Sequence, residues 1–184
     1  MNPRFTSVLI LSMLLSMNIH IANAISFEGS INTGILEYRG ATERDGYLLG
    51  LNSNVFIFSD FAISLTQNIS FLDEGVYKGQ KYTNSARILN SSLGVVYLID
   101  IMTLIPFIKG SGDIYSGNFI NSENFDYGYS LGAGVRYEKL PFAIAFELSY
   151  SQLYKTTTQW PSIILFSIST GVTTNRNKNK ELTL

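Results

Sequence analysis

The chain has 184 residues, with 13 Lys and Arg, 14 Asp and Glu and a single His, and its formal net charge is −1 at pH 7. Charged residues are 15% and hydrophobic residues 46% of the total, a charge content that is low for one soluble domain of this length. The absence of Cys excludes disulfides, thiolate metal sites and a Cys nucleophile, and the near-neutral balance without a basic cluster argues against nucleic-acid binding.

Residues 1–24 have the three-part form of a secretory signal. Arg4 provides a positive start, residues 8–17 (VLILSMLLSM) are apolar, and Ala22-Asn23-Ala24 has the small-x-small pattern of a cleavage site. The apolar run is about ten residues, short of the ~20 that a membrane helix needs, so an uncleaved anchor is the less favoured alternative. We expect cleavage after Ala24. It would remove His20, the only histidine of the chain.

After residue 25 the sequence alternates between apolar and small or polar residues with a period of two, which is typical of β-strands. In the segment 142–151, for example, one face carries Phe, Ile, Phe, Leu and Tyr, whereas the other carries Ala, Ala, Glu, Ser and Ser. Eight such segments are recognisable, and we predict strands at 26–38, 47–57, 60–71, 86–99, 104–115, 127–138, 142–151 and 161–173.

The predicted connections alternate between short and long. Short ones lie near 59–60, 100–103 and 139–141, and longer polar ones span 39–46, 73–84, 116–126 and 155–160. This alternation predicts an all-β fold, an eight-stranded antiparallel up-and-down barrel with tight turns at one end and loops at the other.

Two kinds of eight-stranded barrel fit these strands: a soluble lipocalin with an apolar interior, and a transmembrane barrel with an apolar exterior. The apolar face is bulky and uncharged, and the sequence offers no helical pattern to cover it from water, which favours the transmembrane barrel. The other face is mostly Gly, Ala, Ser and Asn, with Leu48 and Phe56 as larger exceptions. We therefore expect a narrow lumen that holds small residues.

Aromatic residues concentrate near the ends of the predicted strands, as in the aromatic girdles of outer-membrane barrels. Beside the long loops lie Tyr38, Tyr47, Tyr115, Tyr127, Tyr150, Tyr154 and Trp160, and beside the short turns lie Phe58, Phe61, Tyr97, Phe107, Tyr137 and Phe142.

Three segments resemble successive strands of small outer-membrane barrels: 106–115 (PFIKGSGDIY), 132–137 (GAGVRY) and 146–150 (FELSY). The family is that of the opacity-protein-like and outer-membrane-protein-A-like eight-stranded β-barrels, and the resemblance extends, in pattern, over most of 25–172. It implies a cell outer membrane of the Gram-negative type and the barrel assembly machinery as a partner. Such barrels usually end on an aromatic residue, whereas here the barrel (25–173) is followed by residues 174–184, which we expect to form a polar periplasmic tail.

The alternation directs six charged residues into the lumen. Counting from the turns puts Glu28 level with Arg136 and Lys109 level with Glu147, which predicts paired charges that fill the lumen. An ion path is the alternative. The predicted lumen charge network is Glu28, Lys109, Asp113, Arg136, Glu138 and Glu147.

The residues offer little for catalysis. A mature chain without His lacks the usual base for a Ser nucleophile, so we do not expect an enzyme. Two acidic pairs in the predicted loops could bind calcium, but we expect them only to solvate the loops. They are Glu43 with Asp45, and Asp73 with Glu74. We expect no metal and no cofactor.

Together these features predict an integral outer-membrane barrel with a side-chain-filled lumen and a structural or surface-interaction role through its extracellular loops. A narrow, porin-like channel is the alternative, and a lipid-modifying barrel enzyme is the third reading. The expected partners are outer-membrane lipid and lipopolysaccharide, the barrel assembly machinery and a surface ligand that the sequence does not identify.

Overall fold

The computed structural model describes residues 26–40, 43–73, 75–77, 80–82, 86–99, 103–117, 125–154 and 161–174. The predicted signal peptide and the tail beyond Thr174 lie outside these residues and stay predictions. Within the described part of the chain, no helix is long and apolar enough to cross a membrane. The strands are β1 (Ser26–Arg39), β2 (Glu43–Phe56), β3 (Phe61–Leu72), β4 (Gly75–Tyr77), β5 (Gln80–Tyr82), β6 (Ala86–Leu98), β7 (Leu104–Gly117), β8 (Asp126–Lys139), β9 (Phe142–Tyr154) and β10 (Ser162–Thr173).

The eight long strands form a closed antiparallel barrel. They have from 12 to 14 residues each, and every one pairs with the long strand before and after it in the chain. Closure comes from β1, which pairs with both β2 and β10. The predicted eight-stranded up-and-down barrel is confirmed.

The two ends of the barrel differ in their connections. We call the end with the segments 40–42, 73–85, 118–125 and 155–161 the loop end, and the end with 57–60, 99–103 and 140–141 the turn end. Both chain termini of the barrel lie at the turn end. There the backbone N–H of Thr174 donates to the carbonyl oxygen of Phe27 at 2.8 Å, and the Phe27 N–H donates to Oγ1 of Thr174 at 2.7 Å.

The strands at the loop end run further than the sequence predicts. The predicted connection 39–46 is largely strand, because β1 extends to Arg39 and β2 begins at Glu43. These two residues are cross-strand partners of opposite charge, which stabilises the extension. The predicted connection 73–84 contains the short hairpin β4–β5, and β4 pairs with β2. Residues at both ends of the predicted connection 116–126 belong to β7 and β8.

The outer surface of the barrel is an apolar belt. Large apolar side chains alternate outward along every long strand, whereas Ser, Asn, Thr and charged residues at the intervening positions are buried inside. A sheet with this exterior needs lipid around it, so the predicted transmembrane arrangement fits and that of a lipocalin does not. Members of the belt include Ile31, Ile35, Leu49, Leu51, Ile63, Leu65, Leu93, Val95, Ile108, Leu131, Val135, Ile144, Phe146 and Leu148.

The aromatic girdles are smaller than predicted. Tyr38, Tyr115 and Phe107 were expected in the girdles, but all three point into the lumen. Only 2% of Tyr115 is exposed, against 60% of Tyr127, which is in the girdle. The reason is the strand period, because Tyr115 and Phe107 are an even number of residues from the inward Asp113. Trp160 lies outside the described residues. The other predicted girdle residues are exposed or half-buried on the outer surface.

Candidate functional site

The lumen consists of a polar middle layer between two apolar clusters. The loop-end cluster is formed by Leu36, Tyr38, Leu48, Leu72, Ala86, Ile88, Tyr115, Leu153 and Ile163. The turn-end cluster is formed by Phe56, Ala62, Val96, Leu98, Ile105, Phe107 and Ala145.

The expectation that only small residues fit inside is therefore wrong. Glycines on neighbouring strands make room for the large side chains. A Cβ atom on Gly134 would lie only 2.6 Å from Cζ of Phe107, and one on Gly128 would lie 3.1 Å from Cε2 of Tyr115. In these two places a small inward residue faces a large one on the neighbouring strand, which lets large side chains enter the lumen at both ends.

Arg136 is the centre of an ion-pair cluster beside the turn-end cluster. Its Nη2 contacts the carboxylate of Glu28, and it lies 3.3 Å from Oε2 of Glu138. The amide of Asn54 donates to Oε1 of Glu28 at 3.1 Å. The guanidinium carbon also lies over the ring of Phe56, 5.7 Å from its centroid, and this cation–π contact adds to the contacts with the carboxylates.

Lys109 belongs to the polar middle layer. Its Nζ donates to Oγ1 of Thr66 at 3.2 Å and lies 3.9 Å from Oε2 of Glu147. Both side chains of this ion pair are largely buried. The longer distance and the greater exposure make this a looser pair than the one between Arg136 and Glu28.

Asp113 is held by hydroxyl groups. Its Oδ1 accepts a hydrogen bond from Ser111 at 2.9 Å, and its Oδ2 accepts from Tyr115 at 2.9 Å and from Ser130. Ser130 also shares a 2.8 Å hydrogen bond with Ser151. Three hydroxyl donors on one carboxylate can stabilise a buried negative charge without a cation in direct contact.

A small cavity of about 50 Å³ lies within the polar layer. This space accommodates a few water molecules. Its lining includes Lys109 and Glu147 from the ion pair and Leu36, Leu48 and Tyr115 from the loop-end cluster.

The six residues of the predicted lumen charge network all lie on the inner side of the barrel, in three groups: Arg136 with Glu28 and Glu138, Lys109 with Glu147, and Asp113 with its hydroxyl donors. Sequence reasoning missed two further inward charges, Arg44 and Asp126, both buried near the loop end. Each lay in a segment taken for a loop. If the two-residue period of the strands had been continued past the predicted loop boundaries, it would have identified both residues as inward.

The acidic pairs considered for calcium are spread over the loop end. Glu43 and Asp45 are exposed on the outward face of β2, and Asp73 is exposed just after β3. Glu74 lies outside the described residues. Within the described ranges, no group of three or more acidic or His side chains is placed to hold a metal ion.

No family model matches the chain. No curated protein matches it in sequence. Among solved structures, the chain is similar to the Neisserial surface protein A (TM-score 0.60, 12% identity), with 79% of this chain and 96% of that one covered. It is also similar to the outer membrane protein OprG of Pseudomonas aeruginosa (TM-score 0.52, 9% identity, 82% and 95% covered). A third similar structure is the outer membrane enzyme PagL (TM-score 0.51, 13% identity, 79% and 98% covered).

These identities are low, and the likeness concerns the fold. The chain has the fold of the small eight-stranded outer-membrane barrels, as the sequence resemblance implied.

Proposed function

We propose that the chain is an outer-membrane barrel with a closed lumen that serves a structural or surface-interaction role at its loop end. The observation that carries the proposal is that large side chains occupy the lumen at two levels, in the loop-end cluster and in the turn-end cluster.

Passage of an ion would require it to cross both clusters. Leu48 and Tyr115 occupy the lumen above the polar cavity, and Phe56 and Phe107 occupy it below. Apolar constrictions of this kind exclude water, and an ion that loses its hydration pays a large free-energy cost. An eight-stranded barrel of this size is therefore better suited to hold its shape than to conduct.

The loop end, in contrast, presents polar groups beyond the belt. Glu43 and Asp45 are exposed on β2, and the guanidinium of Arg39 binds Glu37 through hydrogen bonds of 2.7 and 3.1 Å on the same outward face. The rule that barrels of this class have short periplasmic turns and longer extracellular loops orients this end towards the outside. A ligand that meets the cell surface would meet these residues and the β4–β5 hairpin.

Planar-bilayer conductance of the refolded mature chain tests the proposal. We expect the wild type to stay near the baseline. A variant with Leu48, Tyr115, Phe56 and Phe107 all changed to Ser opens both clusters and is the positive control, with an expected rise in conductance. Large, stable channels in the unmodified protein would overturn the closed-lumen proposal.

A narrow channel is the second candidate, and the observation that favours it is the polar cavity beside Lys109 and Glu147. A lipid-modifying enzyme is less favoured. Ser130 contacts the carboxylate of Asp113, but both lie inside the barrel, and the predicted mature chain has no His to activate the hydroxyl.

A further inference from the structure

Arg87 lies at the margin of the apolar belt. On the outward face of β6 it is followed, towards the turn end, by Leu89, Ser91, Leu93, Val95, Tyr97 and Ile99. The ten residue steps from Leu89 to Ile99 cover roughly 25 Å along the barrel axis at the usual rise and tilt, which is the height of the apolar band in such barrels. Arg87 is therefore at the depth of the lipid headgroups on the loop-end side.

Two aromatic rings continue the row of cross-strand partners that begins at Arg87, because Phe71 pairs with Arg87 and Tyr47 pairs with Phe71. Its guanidinium carbon lies 5.6 Å from the ring centroid of Phe71 on β3. Phe71 in turn stacks on Tyr47 of β2, with the ring centroids 5.1 Å apart and the planes at 21°. We call these two rings the aromatic shelf. A cation at this distance is attracted to the face of the ring, and the N–H groups of a guanidinium in such a contact can still form hydrogen bonds.

The other guanidinium on this outer surface at the loop end, among the described residues, belongs to Arg39. Arg39 is held by Glu37 on its own strand, with both side chains well exposed to water. Asp73 is exposed just after β3, two residues beyond Phe71. Any test must therefore distinguish an effect of this neighbouring carboxylate from an effect of the lipid.

We propose that Arg87, positioned by the aromatic shelf, binds the phosphate monoester of a phosphorylated lipid in the leaflet at the loop end. Charge complementarity at headgroup depth carries the proposal. The guanidinium fork matches a phosphate with two parallel hydrogen bonds, and the aromatic rings anchor the site at the membrane interface. The proposal depends on the proposed function in one respect. The outward orientation of the loop end determines which leaflet contains the lipid.

The test uses the refolded chain in neutral maltoside micelles, which contain no phosphate. Diphosphoryl lipid A or its dephosphorylated form is added, and binding is measured by native mass spectrometry and by the shift of the unfolding temperature. We expect Arg87→Gln to weaken binding of the phosphorylated lipid roughly 10- to 100-fold. Arg87→Lys, which keeps the charge and loses the fork, should have an intermediate effect. Phe71→Leu should weaken binding by removing the ring that contacts Arg87.

Arg39→Gln is the matched control, because it removes a guanidinium from the same end of the outer surface, and we expect binding to stay unchanged. The dephosphorylated lipid should not distinguish wild type from Arg87→Gln, and inorganic phosphate alone should not shift the unfolding temperature. Asp73→Asn should leave lipid binding intact. Equal binding by wild type and Arg87→Gln, equal losses with Arg39→Gln, or a loss with Asp73→Asn as large as that with Arg87→Gln would overturn the proposal.

Two further measurements are needed to interpret these outcomes. Heat-dependent gel mobility of each variant verifies that it has folded. Conductance is measured separately, so a channel-forming barrel that still binds the lipid through Arg87 would refute the proposed function and leave this inference standing.

Discussion

Arg136 and its two carboxylate partners show how this barrel accommodates charge in its interior. Arg136 and Glu28 are each only 4% exposed, so either charge alone would be costly. Because Glu28 and Glu138 both contact the one guanidinium, the removal of Arg136 would leave two buried carboxylates facing each other. Lys109 borders the cavity, and its carboxylate partner Glu147 lies at a longer distance.

We therefore predict that Arg136→Met lowers the free energy of unfolding by roughly 3–5 kcal/mol, and that Lys109→Met costs less. Urea unfolding in lipid vesicles measures both. Adding Glu28→Gln to Arg136→Met should recover part of the loss, because one orphaned charge disappears. Equal costs for the two single substitutions, or strictly additive effects of Arg136→Met and Glu28→Gln, would contradict the buried-cluster interpretation.

The element that shows the two faces most clearly is β8. Leu131 is exposed on the belt, whereas the adjacent Ser130 points inward and binds Asp113. One step along the strand thus changes the surroundings of a side chain from lipid to a hydrogen-bonded lumen.

For this strand we predict that Leu131→Arg destabilises the barrel by about 2–4 kcal/mol in a bilayer, because the site is near the midplane. Ile99→Arg, at the turn-end margin of the belt, should cost only about 0–1 kcal/mol. Equilibrium unfolding in vesicles of two acyl-chain lengths provides the measurement. The cost of Leu131→Arg should rise in the thicker bilayer, and equal costs at the two positions would place Leu131 away from the lipid core.

Strand alternation made most of the barrel predictable, since each face of a strand meets one environment along its whole length. It failed in two ways. Strand ends were set by polarity, so Arg44 and Asp126 were assigned to loops, although hydrogen-bonded ladders continue beyond the bilayer. The sizes of inward residues were also misjudged, because the space for Phe107 is created by Gly134 on the neighbouring strand. A single strand read alone carries no information about its neighbour.

At the scale of the whole molecule, the even number of long strands returns the chain to the side from which it started. We expect protease added to intact cells to cut at Lys78 and Lys81, which lie between β3 and β6, and to spare Lys178 and Lys180 in the tail. Mass spectrometry of the released peptides is the readout, and permeabilised cells are the control in which all four sites become accessible. Cleavage of the tail in intact cells would indicate the inverted orientation.

The hydrogen bonds between Phe27 and Thr174 join positions that are 147 residues apart in the chain. Loop-closure entropy opposes such a contact until nearly all of the sequence has been made and folded, so the barrel has a late and slow final step. Until then β1 and β10 are open edges with unpaired N–H and C=O groups, which promote aggregation in water and are costly in lipid. We expect such a chain to need a helper that covers both edges until the barrel closes, and covering them would be the physical task of the predicted barrel assembly machinery.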